Sequence, residues 1–365
     1  MGGFECSTHR LRNGKRLDLL VSTRHDRFVR SDYEALRPLG VRTVRDGIRW
    51  YLIDRGGDLN FDSVKPMLEA AEHSQTQVIW DLFHFGWPDD VDVYSPEFVR
   101  RYARLAREFA ELLVANTSAT PFIAPSNEIS FLAWAGGDVE YLNPFSRGRG
   151  WELKQQLARA AIRACEEIRS VSSDIRLVFP EPVIHLVGRP GIPGDDAEAE
   201  HYRLLQFQAW DLIAGRLEPS LGGRPEFLDI VGLNFYDRNQ WEHHGETLRL
   251  SDPRFRPLSE IIREVHQRYG RPLFVSETGI EDEARPAWLA YISDQCRLAI
   301  QSGIPVHGLC WYPVANHPGW DDDRHCHNGV LCFADEKGRR NFYEPLALEW
   351  REQLRRTSAG LSSPT

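Results

Sequence analysis

Short, largely apolar runs alternate with amphipathic stretches along the whole chain. "LDLLVST" (17–23), "RTVRDGI" (42–48), "TQVIWDL" (76–82), "PFIAPSN" (121–127), "IRLVFPE" (175–181), "LDIVGLN" (228–234), "PLFVSE" (272–277) and "VHGLCWY" (306–312) are rich in β-branched residues, as strands buried on both faces are. Between them lie helical stripes. In 95–115, Ser95 fits an N-cap, Pro96 the first helical position and Glu97 the first turn. Phe98, Tyr102, Leu105, Phe109 and Leu112 then fall on one face, which leaves Arg100, Arg101, Arg104 and Arg107 to solvent. Similar stripes run through 151–170, 199–215, 258–269 and 287–301, and Gly270 and Gly303 follow two of them as stops.

Eight strands alternating with helices, with no linker, low-complexity tract or repeat, predict an α/β fold: a single (β/α)8 TIM barrel over residues 1–365, with an ordered core over roughly 15–355. A doubly wound sheet fits less well, because no GxGxxG follows the first strand and no Walker A motif occurs.

Barrel chemistry sits at the C-terminal ends of strands. The expected second strand runs into Arg45, Asp46, Arg49 and Trp50, and the third into "DLFHFGW" with His84. The fourth ends at Asn127-Glu128, the fifth at Glu181, the sixth at Asn234 and Tyr236, the seventh at Glu277, and the eighth in "WYPVANHPGW" with Trp311 and Asn316. A lone Glu at a strand end is ordinarily a salt-bridged surface residue. Two of them, each delivered by an apolar strand and flanked by small polar residues, ask for a function.

Composition narrows the field. A net charge of -9 and a pI of about 5.8 argue against a nucleic-acid partner. The six Cys (6, 165, 296, 310, 326, 332) have no CxxC spacing and read as reduced thiols, Cys310 as a buried and inert one. "MGGFECSTHRLRNGKRLDLL" has no apolar segment after a basic start, no run is long enough to span a bilayer, and Cys6 breaks the myristoylation pattern. The Asn116-Thr117-Ser118 sequon then carries no glycan. The expectation is a cytoplasmic protein with no membrane and no nucleic acid among its partners; its oligomeric state is not legible.

Carriers three steps apart on an eight-strand ring can aim Glu128 and Glu277 at each other. Two carboxyls facing across a cleft can break a glycosidic bond: one protonates the leaving oxygen, the other attacks the anomeric carbon or activates water. Their pKa values must differ, which a nearby charge or an apolar wall achieves.

These residues carry a resemblance. "SNEIS" resembles the Asn-Glu-Pro motif of clan A glycoside hydrolases, and "VSETGI" the Thr-Glu-Asn-Gly nucleophile motif with Thr278 in place of Asn. "DYEALRPLGVRTVRDGIRW" (32–50), "LFHFGWPDDV" (82–91), "LDIVGLNFYDR" (228–238) and "GLCWYPVANHPGWDDDRHCHNGVL" (308–331) resemble, in family order, segments of glycoside hydrolase family 1, the β-glucosidases and β-galactosidases. The resemblance implies a retaining β-glycosidase with no cofactor and no metal. Glu128 would be its acid/base and Glu277 its nucleophile. Arg45 and Tyr236 would hold the nucleophile, and His84, Asn127, Asn234, Trp311 and Trp320 would contact the sugar of a small-molecule or oligosaccharide glycoside. The sequence departs from the family where "LLVSTRHD" lacks a sugar-reading Gln and where Pro318-Gly319 replace the Glu ahead of Trp320. Loops also look trimmed. Bond-breaking groups would thus be kept and glucose-reading ones lost, which points to a non-standard glycoside.

Other readings stay open. The barrel could bind glycans without catalysis, or deliver the sugar to an acceptor other than water. "WDDDRHCHNG" (320–329) reads as a polar loop over the cleft, since its spacing is not that of a zinc or calcium site. His25-Asp26 with His84 and His185 could suggest a metal-dependent hydrolase, but "TRHDR" offers no close His pair.

Overall fold

The computed structural model describes residues 1–320, 322 and 324–361. Eight parallel strands close into a barrel: β1 Gly2–Gly3, β2 Thr43–Gly47, β3 Gln77–Asp81, β4 Phe122–Ala124, β5 Arg176–Pro182, β6 Ile230–Asn234, β7 Leu273–Thr278 and β8 Val306–Trp311. β1 joins the ends of the ring, with Gly2 opposite both Trp311 and Val44. Ile79, Ala124, Val178, Phe274 and Cys310 fill the barrel interior, while Val44, Leu177, Val231, Leu273 and Val275 pack outward into the larger core. This two-sided burial is why the strands read as apolar runs.

The expected first strand is wrong. Residues 17–23 carry a helix, Leu19–Ser22, capped by the Asp18 side chain. The true β1 starts at Gly2, ahead of the residue 15 expected for the core, and has no apolar signal. Its glycines are steric requirements: a Cβ on Gly3 would lie 2.1 Å from Cδ2 of Tyr312.

Helix Pro96–Asn116 forms as read, with Ser95 Oγ accepting from the Phe98 N–H. One arginine of its supposed solvent face is misread. Arg101 is buried and grips Asp54 with two donors, at 2.9 and 2.6 Å, and Asp90 with a third at 2.7 Å. The 199–215 stripe divides into Asp195–Leu204, a 3-10 turn and Gln208–Ile213. Gly270 and Gly303 take the left-handed conformation expected of helix stops. All six cysteines are free. No described helix is long and apolar enough to cross a membrane.

Candidate active site

β7 delivers Glu277 on an irregularity. Val275 stands opposite Leu233 but Glu277 opposite Asn234, so one extra residue is accommodated before Glu277. Bulges of this kind re-aim side chains. The Glu277 carboxylate accepts from Arg45 Nη1 at 2.7 Å through Oε1 and from the Tyr236 hydroxyl at 2.8 Å through Oε2. Arg45 is fully buried, and Asp81 at the end of β3 holds its other edge at 2.9 and 2.8 Å. Its Nη2 also donates to Asn127 Oδ1 at 2.6 Å.

That last bond orients the next two groups. With Oδ1 occupied by Arg45, the Asn127 amide nitrogen faces His84 Nε2 at 3.2 Å, and His84 Nδ1 turns to Asp81 at 3.0 Å. Asn234 is set in the same way. Ser276 Oγ donates to its Oδ1 at 2.6 Å, leaving its amide N–H to donate to Glu128 Oε1 at 2.8 Å.

Glu128 lies in the left-handed region, at φ 45° and ψ 59°, with its N–H donating to the Pro180 carbonyl at 3.0 Å. Non-glycine residues persist there when their surroundings over-determine them, often at functional sites. Burial pushes the Glu128 carboxyl well up, and the charges of Glu277 and Glu181 add to that. Burial pushes Glu277 up too, but Arg45, His84 and Tyr236 oppose it. Of the two, Glu277 is therefore the one held as carboxylate and Glu128 the one that keeps a proton. Glu181, buried at the end of β5, accepts from the Ser130 N–H at 3.1 Å, and burial raises it to about 7.

Glu128, Glu277, His84, Asn127, Tyr236 and Trp320 line one cavity of about 1140 Å³. Arg45 and Asn234 act from behind this surface, through Glu277 and Glu128. Trp311 does not reach it: the ring is fully buried in the core and its N–H is spent on the Asn328 carbonyl at 2.8 Å. Asn316 is likewise occupied, accepting from the Gly329 N–H at 2.9 Å. In the 320–329 loop, Asp321 and Asp323 lie outside the described residues.

The histidines of the metal reading do not converge. His25 sits between Asp32 and Asp46, and His185 belongs to a small sheet opposite Gln240. Cys6, Asp81 and His84 are close enough to hold a cation, but Asp81 is already clamped by the Arg45 guanidinium, which would repel one.

Three features escaped the sequence. Asp81 closes β3 and, in sequence, looks like an interruption of the apolar run 76–82. Glu5 lines the cavity, but it follows a strand that was not recognised. The outer wall carries Trp134, Trp151 and Tyr202, between 38 and 44% exposed, with Phe131 and Trp241. Four of these sit on helices or loops whose aromatics read as ordinary packing.

No family model matches the chain. A β-galactosidase of Sulfolobus acidocaldarius is 32% identical over 101 residues, which is 27% of this chain and 20% of the relative, so the chain matches about a fifth of that protein's length. The β-glucosidase of Thermotoga maritima, solved with glucoimidazole, superposes with a TM-score of 0.79 at 16% identity, over 95% of this chain and 90% of that one. The AHE enzyme of Alicyclobacillus herbarius gives 0.77 at 18%, over 92% and 88%. The chain thus has the barrel fold of the glycoside hydrolases. In fold it resembles the family 1 β-glucosidase of Thermotoga maritima, at low sequence identity.

Proposed function

We propose that the protein is a retaining β-glycosidase. One observation carries the reading: two carboxyls open on one cavity in opposed surroundings, Glu277 gripped by Arg45 and Tyr236, Glu128 raised by burial beside an amide. In the first step a Glu277 oxygen attacks the anomeric carbon, the bond to the leaving oxygen breaks, and Glu128 gives that oxygen its proton. In the second step water attacks the same carbon and gives a proton to Glu128, and Glu277 leaves as carboxylate. Once Glu277 is esterified its negative charge is gone, so Glu128 loses a neighbour that raised it and is readier to act as base. Arg45 and Tyr236 hold the nucleophile. His84, Asn127 and Trp320 face the sugar, with Asn234 behind Glu128.

The cavity is far larger than one sugar ring, and its outer wall is aromatic. Such rings give flat apolar platforms. They suit a bulky leaving group, in keeping with a non-standard glycoside as substrate.

The test is a 2-deoxy-2-fluoro aryl β-glycoside with the intact protein. A stoichiometric mass gain mapping to Glu277, with Glu277→Gln inert, is the expected result. Turnover without an adduct and with inversion at the anomeric carbon would replace the retaining reading. Binding without any turnover would make the barrel a glycan receptor, and product analysis with added alcohols separates hydrolysis from transfer.

A further inference from the structure

We infer that Lys154 reads a carboxylate on the leaving group, and that this leaving group is a flat aryl acid. The inference rests on the glycosidase reading and names the class of leaving group it acts on.

Glu128, the group that would meet the leaving oxygen, opens the short helix Ile129–Leu132, and Ser130 on that helix lines the cavity. Trp134 follows in the turn Ala133–Asp138. Helix Gly150–Val171 then brings Trp151 and Lys154 to the same cavity, one turn apart on one face. Tyr202 and Trp241 stand edge-on to each other at 6.4 Å and extend the aromatic wall. The side of the cavity next to Glu128 therefore combines flat apolar rings with one cation.

Lys154 is only 8% exposed. Its ammonium has three N–H donors. Among the described residues it makes one hydrogen bond, to Gln208 Oε1 at 2.9 Å, and no ion pair. The carboxyl groups that act on it, Glu181 and Asp138, are turned to backbone donors, the Ser130 N–H at 3.1 Å and the Gly150 N–H at 2.7 Å. Burial outweighs their pull and lowers the Lys154 pKa. A buried ammonium with unused donors asks for an acceptor. A second polar group nearby is also unmet: Ser130 Oγ is buried with no partner among the described residues, while its own N–H holds the Glu181 that acts on Lys154. A carboxylate on the leaving group answers Lys154 with a charge-assisted hydrogen bond. One negative charge fits better than two, because Glu181 and Asp138 oppose a phosphate dianion. The rings of Trp134, Trp151 and Trp241 favour a flat aryl body. Arg238 is the other cation on the wall, but it acts on Asp237 and Glu281.

The experiment measures binding of 6-hydroxy-2-naphthoate and of its methyl ester by calorimetry, in wild type, Lys154→Met and Lys154→Gln. Turnover of the β-glucosides and β-galactosides of the same two phenols runs alongside. Wild type is expected to bind the acid about 10- to 100-fold more tightly than the ester, the effect of a hydrogen bond to a charged group. The kcat/KM values of the glycosides should follow the same order. Both variants should bring the ratio of acid to ester to about 1, and the wild-type ratio carries the test if neither variant folds. A wild type that binds the acid no better than the ester, or variants that keep the preference, overturns the inference. Glucuronate bound as tightly as the naphthoate overturns the aryl assignment, since the anion would then be a sugar acid. Glycosides turned over with no preference for the acid leave the glycosidase reading intact and remove the role of Lys154. A preference for the acid in binding, lost in the variants, with no glycoside turned over, does the reverse: the acid subsite stands and the glycosidase reading falls.

Discussion

Glu128 and Glu277 are the same side chain in two environments, and the environments decide which keeps its proton and which stands as carboxylate. On the proposed mechanism turnover needs Glu277 ionised and Glu128 protonated, so kcat/KM should rise with pH as Glu277 loses its proton and fall as Glu128 loses its own. Tyr236→Phe tests this division. It removes a donor that stabilises the Glu277 carboxylate, so the Glu277 pKa moves up and the acidic limb of the profile moves to higher pH. The alkaline limb, set by Glu128, should stay in place. Activity at the optimum should drop about 10- to 100-fold, as for a hydrogen bond to a charged group; a pH profile that scales down without moving would remove Tyr236 from that role. Both glutamates were legible because each ends an apolar run with small polar neighbours. Arg45 and Tyr236 were legible only once the barrel register was assumed. Asp81 and Glu5 were not, since neither a carboxylate within an apolar run nor one after a two-glycine strand carries a periodic signal.

Elements were read best where a local rule and a tertiary need agree. Helix Pro96–Asn116 has its cap, its proline and its apolar stripe in sequence, and all three appear in space. β1 has none of these. Its residues were chosen by Tyr312 pressing on Gly3, a contact between the two ends of the chain that no local window contains. Arg101 shows the complementary error: periodicity put it with Arg104 on the solvent face, whereas Asp54 pulls it inward across 47 positions. The two arginines should therefore behave differently. Arg101→Ala strands a buried carboxylate and should cost about 3–5 kcal/mol in urea unfolding. Arg104→Ala, whose ion pair with Glu108 is largely exposed, should cost under about 1 kcal/mol. Equal losses would mean that the Asp54 pair does not hold the helix to the barrel.

At the scale of the whole molecule, the first forty-odd residues are tied to the last thirty through one buried charge group. His25 Nδ1 meets Asp32 at 2.7 Å and its Nε2 meets Asp46 at 2.8 Å. Arg340 reaches Asp32 at 2.7 Å and the Thr23 carbonyl at 2.7 Å, and Tyr33 donates to Asp46 at 2.7 Å. Two cations and two carboxylates balance only while both His25 nitrogens carry protons. Burial pulls His25 down, but Asp46 and Asp32 outweigh it and raise it to about 9. Below its unfolded pKa of about 6.5, His25 is protonated in both states, and the group's stabilisation is complete. Between about 6.5 and 9 only the folded chain holds the proton, so that stabilisation drains away, and above about 9 it is gone. The whole shift corresponds to about 3 kcal/mol. The quantity to measure is the difference in unfolding free energy between wild type and His25→Gln, from pH 6 to pH 10. It should shrink by about that amount across the window. A difference that stays flat would mean His25 is neutral in the fold, and Arg340 would then be the one cation facing Asp32 and Asp46 in this group.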